Sequence, residues 1–161
     1  MLLDLKQQVE PEAAVVATGV ASEQDAKDEI RKTEIRWIYL ANHPQVLQVV
    51  NDIASAFAPQ LQVHEPLCVD HDAVQIGTYY PGHFYQWHID GHPNEPSRRL
   101  VSASVLLSDD FTGGRMEFKT PGAPAIRKAG DIVLFHSFEE HRVQPVRKGV
   151  RDSLVIWWTA A

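Results

Sequence analysis

The sequence predicts a mostly β protein, an antiparallel jelly roll preceded by at least one helix. Three observations predict it. From about Ala73 onward, short runs rich in Val, Ile, Leu, Phe, Tyr and Trp alternate with Gly-, Pro- and Asp-rich turns, the pattern of a sandwich or barrel. Ahead of them, one segment carries apolar residues at helical spacing. The chain of 161 residues, 44% hydrophobic and 22% charged, is one domain by size and large enough to bury a core.

The elements follow in order. Residues 1–33 are rich in Glu, Gln, Asp, Lys and Ala, and read as a polar, loosely attached lead-in; short helix and mobile tail are both open there. Residues 34–161 are expected to form the folded domain. From Pro44 to Ala58, Val46, Val49, Val50, Ile53 and Phe57 recur at helical spacing; Pro44 suits a first turn and Pro59 ends the segment. A helix with one buried face packs most simply on the outside of a sheet. Strands are expected at Ala73–Tyr80, Phe84–Ile89, Leu100–Leu107, Gly114–Phe118, Pro124–Arg127, Asp131–Phe135 and Ser153–Thr159. Pro81-Gly82, Asp109 through Gly114, Pro121-Gly122 and Lys128-Ala129-Gly130 mark the turns between them. Alternate inward positions then line a cavity at the barrel mouth.

The net charge of −6 argues against a nucleic-acid or anionic-membrane partner, which needs a basic surface. Cys68 is the only cysteine, so no internal disulfide forms and a reducing compartment is expected. The apolar start at Met1–Lys6 is too short for a signal peptide, and no stretch approaches the roughly 20 apolar residues of a membrane span. The expected location is the cytoplasm.

The residues that carry chemistry begin with His88-Ile89-Asp90. Strand period two puts His88 and Asp90 on one face. A distant histidine, His141, can close a triad of two histidines and one carboxylate, the ligand set of non-heme Fe(II) oxygenases. Taken alone, a His-x-Asp pair is common by chance. His92 competes for the third position, because His88-x-Asp90-x-His92 can bind zinc from one strand face; Gly91 and Pro93 break the strand there and favour His141. His43, His64, His71 and His136 have no partner at ligand spacing, and His83 lies in a turn. Arg151, ten residues past His141, shares a strand face with Ser153, Val155 and Trp157. Its guanidinium can fork a carboxylate in a way a lysine cannot, and the Ser153 hydroxyl adds to the same grip. The apolar run that follows argues against a surface Arg151 paired with Asp152.

These pieces sit in order within Tyr79-Tyr80-Pro81-Gly82-His83-Phe84-Tyr85-Gln86-Trp87-His88-Ile89-Asp90, Arg99-Leu100-Val101-Ser102, Gly113-Gly114-Arg115-Met116-Glu117-Phe118, Ala129-Gly130-Asp131, and His141-Arg142-Val143-Gln144-Pro145-Val146 through Arg151. From Ile35 to Thr159 the chain resembles the Fe(II)- and 2-oxoglutarate-dependent dioxygenases, in particular their prolyl 4-hydroxylase-like (PKHD-type) group. The resemblance implies a double-stranded β-helix core, with His88, Asp90 and His141 on iron and Arg151 on the far carboxylate of 2-oxoglutarate. It implies that the Tyr79 hydroxyl reaches that carboxylate, that Ser102 is a cosubstrate hydroxyl on a neighbouring strand, and that Tyr85 and Trp157 stand beside the substrate. Ordinary packing accounts equally well for Tyr79 and Ser102, and a core position for Trp157.

Three features depart from that pattern. Arg115 stands where an acidic residue usually follows Gly113-Gly114, the front of the chain is short, and the loop Gly91–Arg98 is brief. The implied activity is hydroxylation of an unactivated C–H bond with release of succinate and CO2, using O2 and 2-oxoglutarate, with ascorbate as a reductant. The expected substrate is a prolyl residue in a peptide or protein, with a lysyl residue or a free amino acid as the runner-up. Two other classes stay open: a cupin-like protein that binds zinc without turnover, and a peptide-recognition module on a degenerate oxygenase fold.

Overall fold

Strand period two decides the architecture. In the last strand, Arg151–Ala160, Leu154, Ile156 and Trp158 are at most 1% exposed on one side, while Arg151, Ser153 and Trp157 are buried on the other. The first set packs on helices and the second faces a cavity. The computed structural model describes residues 2–13, 30–92 and 99–161. Among them the elements are α1 (Leu2–Gln8), β1 (Glu12–Ala13), β2 (Arg31–Lys32), β3 (Glu34–Tyr39), α2 (Pro44–Phe57), β4 (Leu67–Val69), β5 (Ala73–Tyr79), β6 (Phe84–His88), β7 (Arg99–Leu106), β8 (Phe111–Gly113), β9 (Met116–Phe118), β10 (Ile132–His136), β11 (His141–Val143), β12 (Val146–Gly149) and β13 (Arg151–Ala160).

The larger sheet runs β1-β3-β5-β13-β7-β10, with β4 pairing the far end of β13. The smaller runs β2-β6-β11-β9, and β8 pairs β12. Every pairing is antiparallel. Ile38, Val74, Ile76, Val101, Ala103, Leu154, Ile156 and Trp158 form the outer face of the larger sheet, and Val46, Val50 and Ile53 of α2 pack on it with Leu5 of α1. Each of these three α2 side chains contributes about 1.5–3 kcal/mol by leaving water. Val49 and Phe57 stay exposed, so the buried arc of α2 is narrower than its apolar spacing suggests.

The structure departs from the expected strands in identifiable places. Pro124–Arg127 is not a strand; the Arg127 and Lys128 amides donate to Asp131 Oδ2 at 2.8 and 2.9 Å, so a side-chain-capped turn takes the hydrogen bonds a ladder would need. The run expected at Gly114–Phe118 is shortened to β9, with a separate strand β8 ending just before it, because Gly113 and Gly114 adopt φ of +74° and +57°. A Cβ on Gly113 would stand 2.4 Å from Pro145 O, so only glycine lets the two segments approach. Strands β1, β2, β3, β4, β8, β11 and β12 were not among the expected runs.

The lead-in is not loosely attached where it is described. Leu5 is 6% exposed within the core, and β2 pairs β6 through Arg31↔Tyr85 and Lys32↔Phe84. Residues 14–29 of that segment, and 93–98 of the loop expected to be brief, lie outside the described residues.

Candidate active site

Cross-strand pairing brings the histidines together. In the β6–β11 pair, His88 stands directly opposite His141, which puts both side chains on one face. Their ring centroids are 4.2 Å apart. Asp90 follows just past β6, its amide donating to Ser137 O at 2.8 Å. Each imidazole is oriented by a carbonyl: His88 Nδ1 is 2.7 Å from Gln86 O, and His141 Nδ1 is 2.8 Å from Glu139 O. A carbonyl only accepts, so Nδ1 carries the proton and the Nε2 lone pair turns inward, the tautomer a metal ligand needs. The two Nε2 atoms lie 3.5 and 3.6 Å from Asp90 Oδ1. One ligand atom from each of the three residues falls within 4.8 Å of the others. His92 is exposed and outside the cluster.

These residues fit a divalent cation. Asp90 Oδ2 is buried without a hydrogen-bond partner, a state that costs free energy unless something positive fills the space. Burial opposes ionisation of this carboxyl, but bonding to His88, the charges of His141 and His88, and the Ser102 hydroxyl outweigh it and hold it well below the usual carboxylate range. A cation at the centre of the triad takes the place of the ring protons in that balance. Burial lowers the His141 pKa, which favours the neutral ring that ligates metals. Phe118 and Phe135 flank His141 with centroids at 5.7 and 4.7 Å and keep water from its ring.

A cavity of about 360 Å³ opens from the triad toward Arg151. Arg151 is 2% exposed. It donates from Nη1 to Ser153 Oγ at 2.9 Å, and its guanidinium carbon lies 5.3 Å from the centre of the Tyr79 ring. Register explains the grouping: Arg151 pairs with Tyr79 and Ser153 with Gly77. A Cβ on Gly77 would come 3.3 Å from Tyr79 Cε2, so the missing side chain lets the tyrosine ring lie back along the strand. Burial lowers the Arg151 pKa, yet a guanidinium keeps its charge in proteins. A buried fork of this kind calls for a carboxylate.

The remaining sequence-named residues are placed as follows. Tyr85 lies stacked on His88, centroids 3.4 Å apart and planes 11° apart, so one of its faces is already occupied by that ring. Burial, with smaller effects of nearby charges, pushes its phenol up to about 12. Trp157 lines the cavity beside Trp37, centroids 6.0 Å apart. Ser102 is not beside Arg151. It pairs across the sheet with Trp157, six residues further along β13 and so about 20 Å away at strand rise. Its hydroxyl is 2.9 Å from Ser137 Oγ and helps hold the Asp90 carboxyl at its lowered pKa; Ser104 lines the cavity. Sequence reasoning also missed Arg31, Trp37, Gln75 and Arg99, which all line it. The alternation Gln75-x-Gly77-x-Tyr79 is a signal that reaches Gln75; nothing local marks Arg31.

Comparison with known proteins gives the same picture. A family model described as the 2OG-Fe(II) oxygenase superfamily matches residues 74–159. A PKHD-type hydroxylase of Teredinibacter turnerae is 41% identical over 92 residues, covering 52% of this chain and 41% of that protein. The PKHD-type hydroxylase YbiX of Shigella sonnei is 34% identical over 131 residues, covering 74% and 55%. The chain thus spans about half the length of these relatives. Among solved structures, a prolyl-4-hydroxylase of Pseudomonas putida matches with a TM-score of 0.67 and 25% identity, over 84% of this chain and 76% of that one. A prolyl hydroxylase of Trichoplax adhaerens, in complex with a hypoxia inducible factor peptide fragment, shares the fold with a TM-score of 0.71 and 18% identity, over 99% and 74%. With two histidines and an aspartate converging inside a double-stranded β-helix, and the family match spanning most of that core, the chain belongs to the 2OG-Fe(II) oxygenase superfamily.

Proposed function

We propose that this chain is an Fe(II)- and 2-oxoglutarate-dependent dioxygenase that hydroxylates an unactivated C–H bond, and that its substrate is a prolyl residue in a peptide or protein. The overall change is R–H + 2-oxoglutarate + O2 → R–OH + succinate + CO2. The observation that carries this reading is the triad and a buried guanidinium facing one cavity: His88, Asp90 and His141 at one end, Arg151 at the other. His88 and His141 would hold the ion through Nε2 and Asp90 through its carboxylate. Iron, when bound, supplies the O2 chemistry, with ascorbate as the reductant that keeps it ferrous.

The chain's own residues bind, orient and exclude water. The Arg151 fork, with Ser153 and Tyr79 beside it, would hold the far carboxylate of 2-oxoglutarate and so fix which end points to the triad. Phe118, Phe135 and the stacked Tyr85 hold the imidazoles against tilting. Trp37 and the face of Trp157 turned away from the Arg99 guanidinium, which lies 4.0 Å from that ring's centre, offer flat apolar surface that suits a proline ring, and prolyl hydroxylation is what the names of the Pseudomonas and Trichoplax structures describe for those proteins. Among the described residues no helix is long and apolar enough to cross a membrane. The single cysteine suits the reducing cytoplasm we propose as its location.

The test is succinate release from 2-oxoglutarate with Fe(II) and ascorbate, with and without prolyl peptides, alongside mass spectrometry for a 16-dalton gain on the peptide. Absence of any succinate together with tight zinc binding would favour the cupin-like metal-binding alternative. Turnover with lysine or a free amino acid but no prolyl peptide would move the substrate to the runner-up.

A further inference from the structure

One end of the cavity holds a positive group that the chemistry above does not use. Arg31 is 9% exposed and lines the cavity. Its Nη2 donates to the Gln75 amide oxygen at 2.9 Å, and its guanidinium carbon lies 4.6 Å from the centre of the Tyr85 ring. Its Nε is buried with no hydrogen-bond partner. The Trp157 indole Nε1 is a second buried donor without a partner. Register puts them at one end: Gln75 pairs with both Trp37 and Val155, Trp157 is two residues beyond Val155 on the same face, and Trp37 and Trp157 are in ring contact.

Charge bookkeeping sharpens the point. Among the described residues lining the cavity are three guanidinium groups, Arg31, Arg99 and Arg151, against one carboxylate, Asp90. Arg99 already has an anion, its Nε lying 2.7 Å from Asp70 Oδ2. On the reading above, a divalent cation takes Asp90 and 2-oxoglutarate takes Arg151. Among the described residues that leaves Arg31 as a buried cation facing a neutral amide and a ring, a costly state unless the remaining ligand brings a negative charge.

We propose that Arg31, helped by the Trp157 indole N–H, binds a free carboxylate on the substrate, which makes the substrate a free amino or imino acid, or the C-terminal residue of a peptide. The proposal rests on the oxygenase reading and departs from the prolyl residue within a peptide or protein chain put forward above as the substrate. Arg31 lies outside residues 74–159, the part of the chain that the family model matches. A carboxylate at Arg31 would place the carbons next to it against Trp157 and toward the triad.

The experiment is calorimetric titration of the whole chain, first with Mn(II) and 2-oxoglutarate in the absence of O2. The loaded protein is then titrated with L-proline, glycyl-L-proline and their C-terminal amides, and with the other L-amino acids and their amides. At least one free carboxylate should bind tenfold or more tighter than its own amide, and the free-acid and dipeptide arms say which source it is. Arg31→Gln should abolish that gap, Arg31→Lys should keep part of it, and Trp157→Phe should narrow it. Equal binding of every acid and its amide would overturn the proposal alone, as would a gap that survives Arg31→Gln. If Arg31→Gln does not fold, the acid–amide comparison on the unaltered chain and on Arg31→Lys decides. Failure of Mn(II) and 2-oxoglutarate to bind in the first titration would overturn the oxygenase reading and this proposal with it.

Discussion

Lys6 Nζ lies 2.7 Å from Asp152 Oδ1 and 2.9 Å from Oδ2, joining the first helix to the strand that carries Arg151. Asp152 also accepts from Thr78 Oγ1 at 2.7 Å, and its side chain is 9% exposed. Lys6→Met should therefore destabilise the fold by about 1–3 kcal/mol, the cost of leaving a mostly buried carboxylate short of its cation. Urea unfolding measures it as a lower midpoint at constant slope. An unchanged midpoint would class the pair with surface ion pairs that contribute nothing measurable.

The triad predicts a clean separation of histidines. His88→Ala and His141→Ala should each weaken Fe(II) or Mn(II) binding by more than about 100-fold, since even indirect supports of a metal ligand are worth 10–100-fold. His92→Ala should leave binding unchanged. Metal-to-protein ratios after dialysis, with circular dichroism to show that the fold persists, check all three. Retained metal in His141→Ala would break the assignment.

Arg151→Lys should raise the 2-oxoglutarate concentration needed for half-saturation by more than about tenfold, because a point charge replaces a two-pronged donor. Ser153→Ala, which removes only the hydroxyl beside that fork, should have a smaller effect in the same direction. Thermal stabilisation by 2-oxoglutarate reads both without turnover. If Arg151→Lys were stabilised as much as the parent chain, the carboxylate site would lie elsewhere.

The turn histidine His83 should make stability sensitive to mild acid. Burial first, and then the charge of Lys32, lower its pKa from the usual 6.5, and its Nδ1 is buried without a partner. The unfolded chain then takes up a proton at a higher pH than the folded chain. Stability from this group is fully present above pH 6.5 and falls as pH drops from there through the lowered folded value. His83→Gln, which keeps polarity without titrating, should flatten the stability profile across that window. A profile of unchanged slope would remove His83 from the acid response.

Much of this site was legible because period two is a local rule. Arg151-x-Ser153-x-Val155-x-Trp157 names one strand face and the structure puts it against the cavity; His88 and Asp90 also face it, although Asp90 lies just past the end of β6 rather than on the strand. Helix α2 was legible for a similar reason, its apolar residues recurring at helical spacing between two prolines. Pro124–Arg127 was misread because apolar content alone does not make a strand; Asp131 captures the backbone there. A motif gives order along the chain but not register across a sheet, and it is the register that sets Ser102 opposite Trp157 rather than beside Arg151.

Sequence by itself determined the class of metal site and the buried cation, because ligand type and strand alternation are properties of short stretches. Only the tertiary structure decided that His141 stands opposite His88 across β6 and β11, as the sequence reading preferred over His92, that the Tyr85 ring covers His88, and that Arg31 enters the same cavity. Each of those depends on which strands pair and in what register, and that is settled by burying the outer face of the larger sheet beneath two helices, a choice made by the whole chain at once.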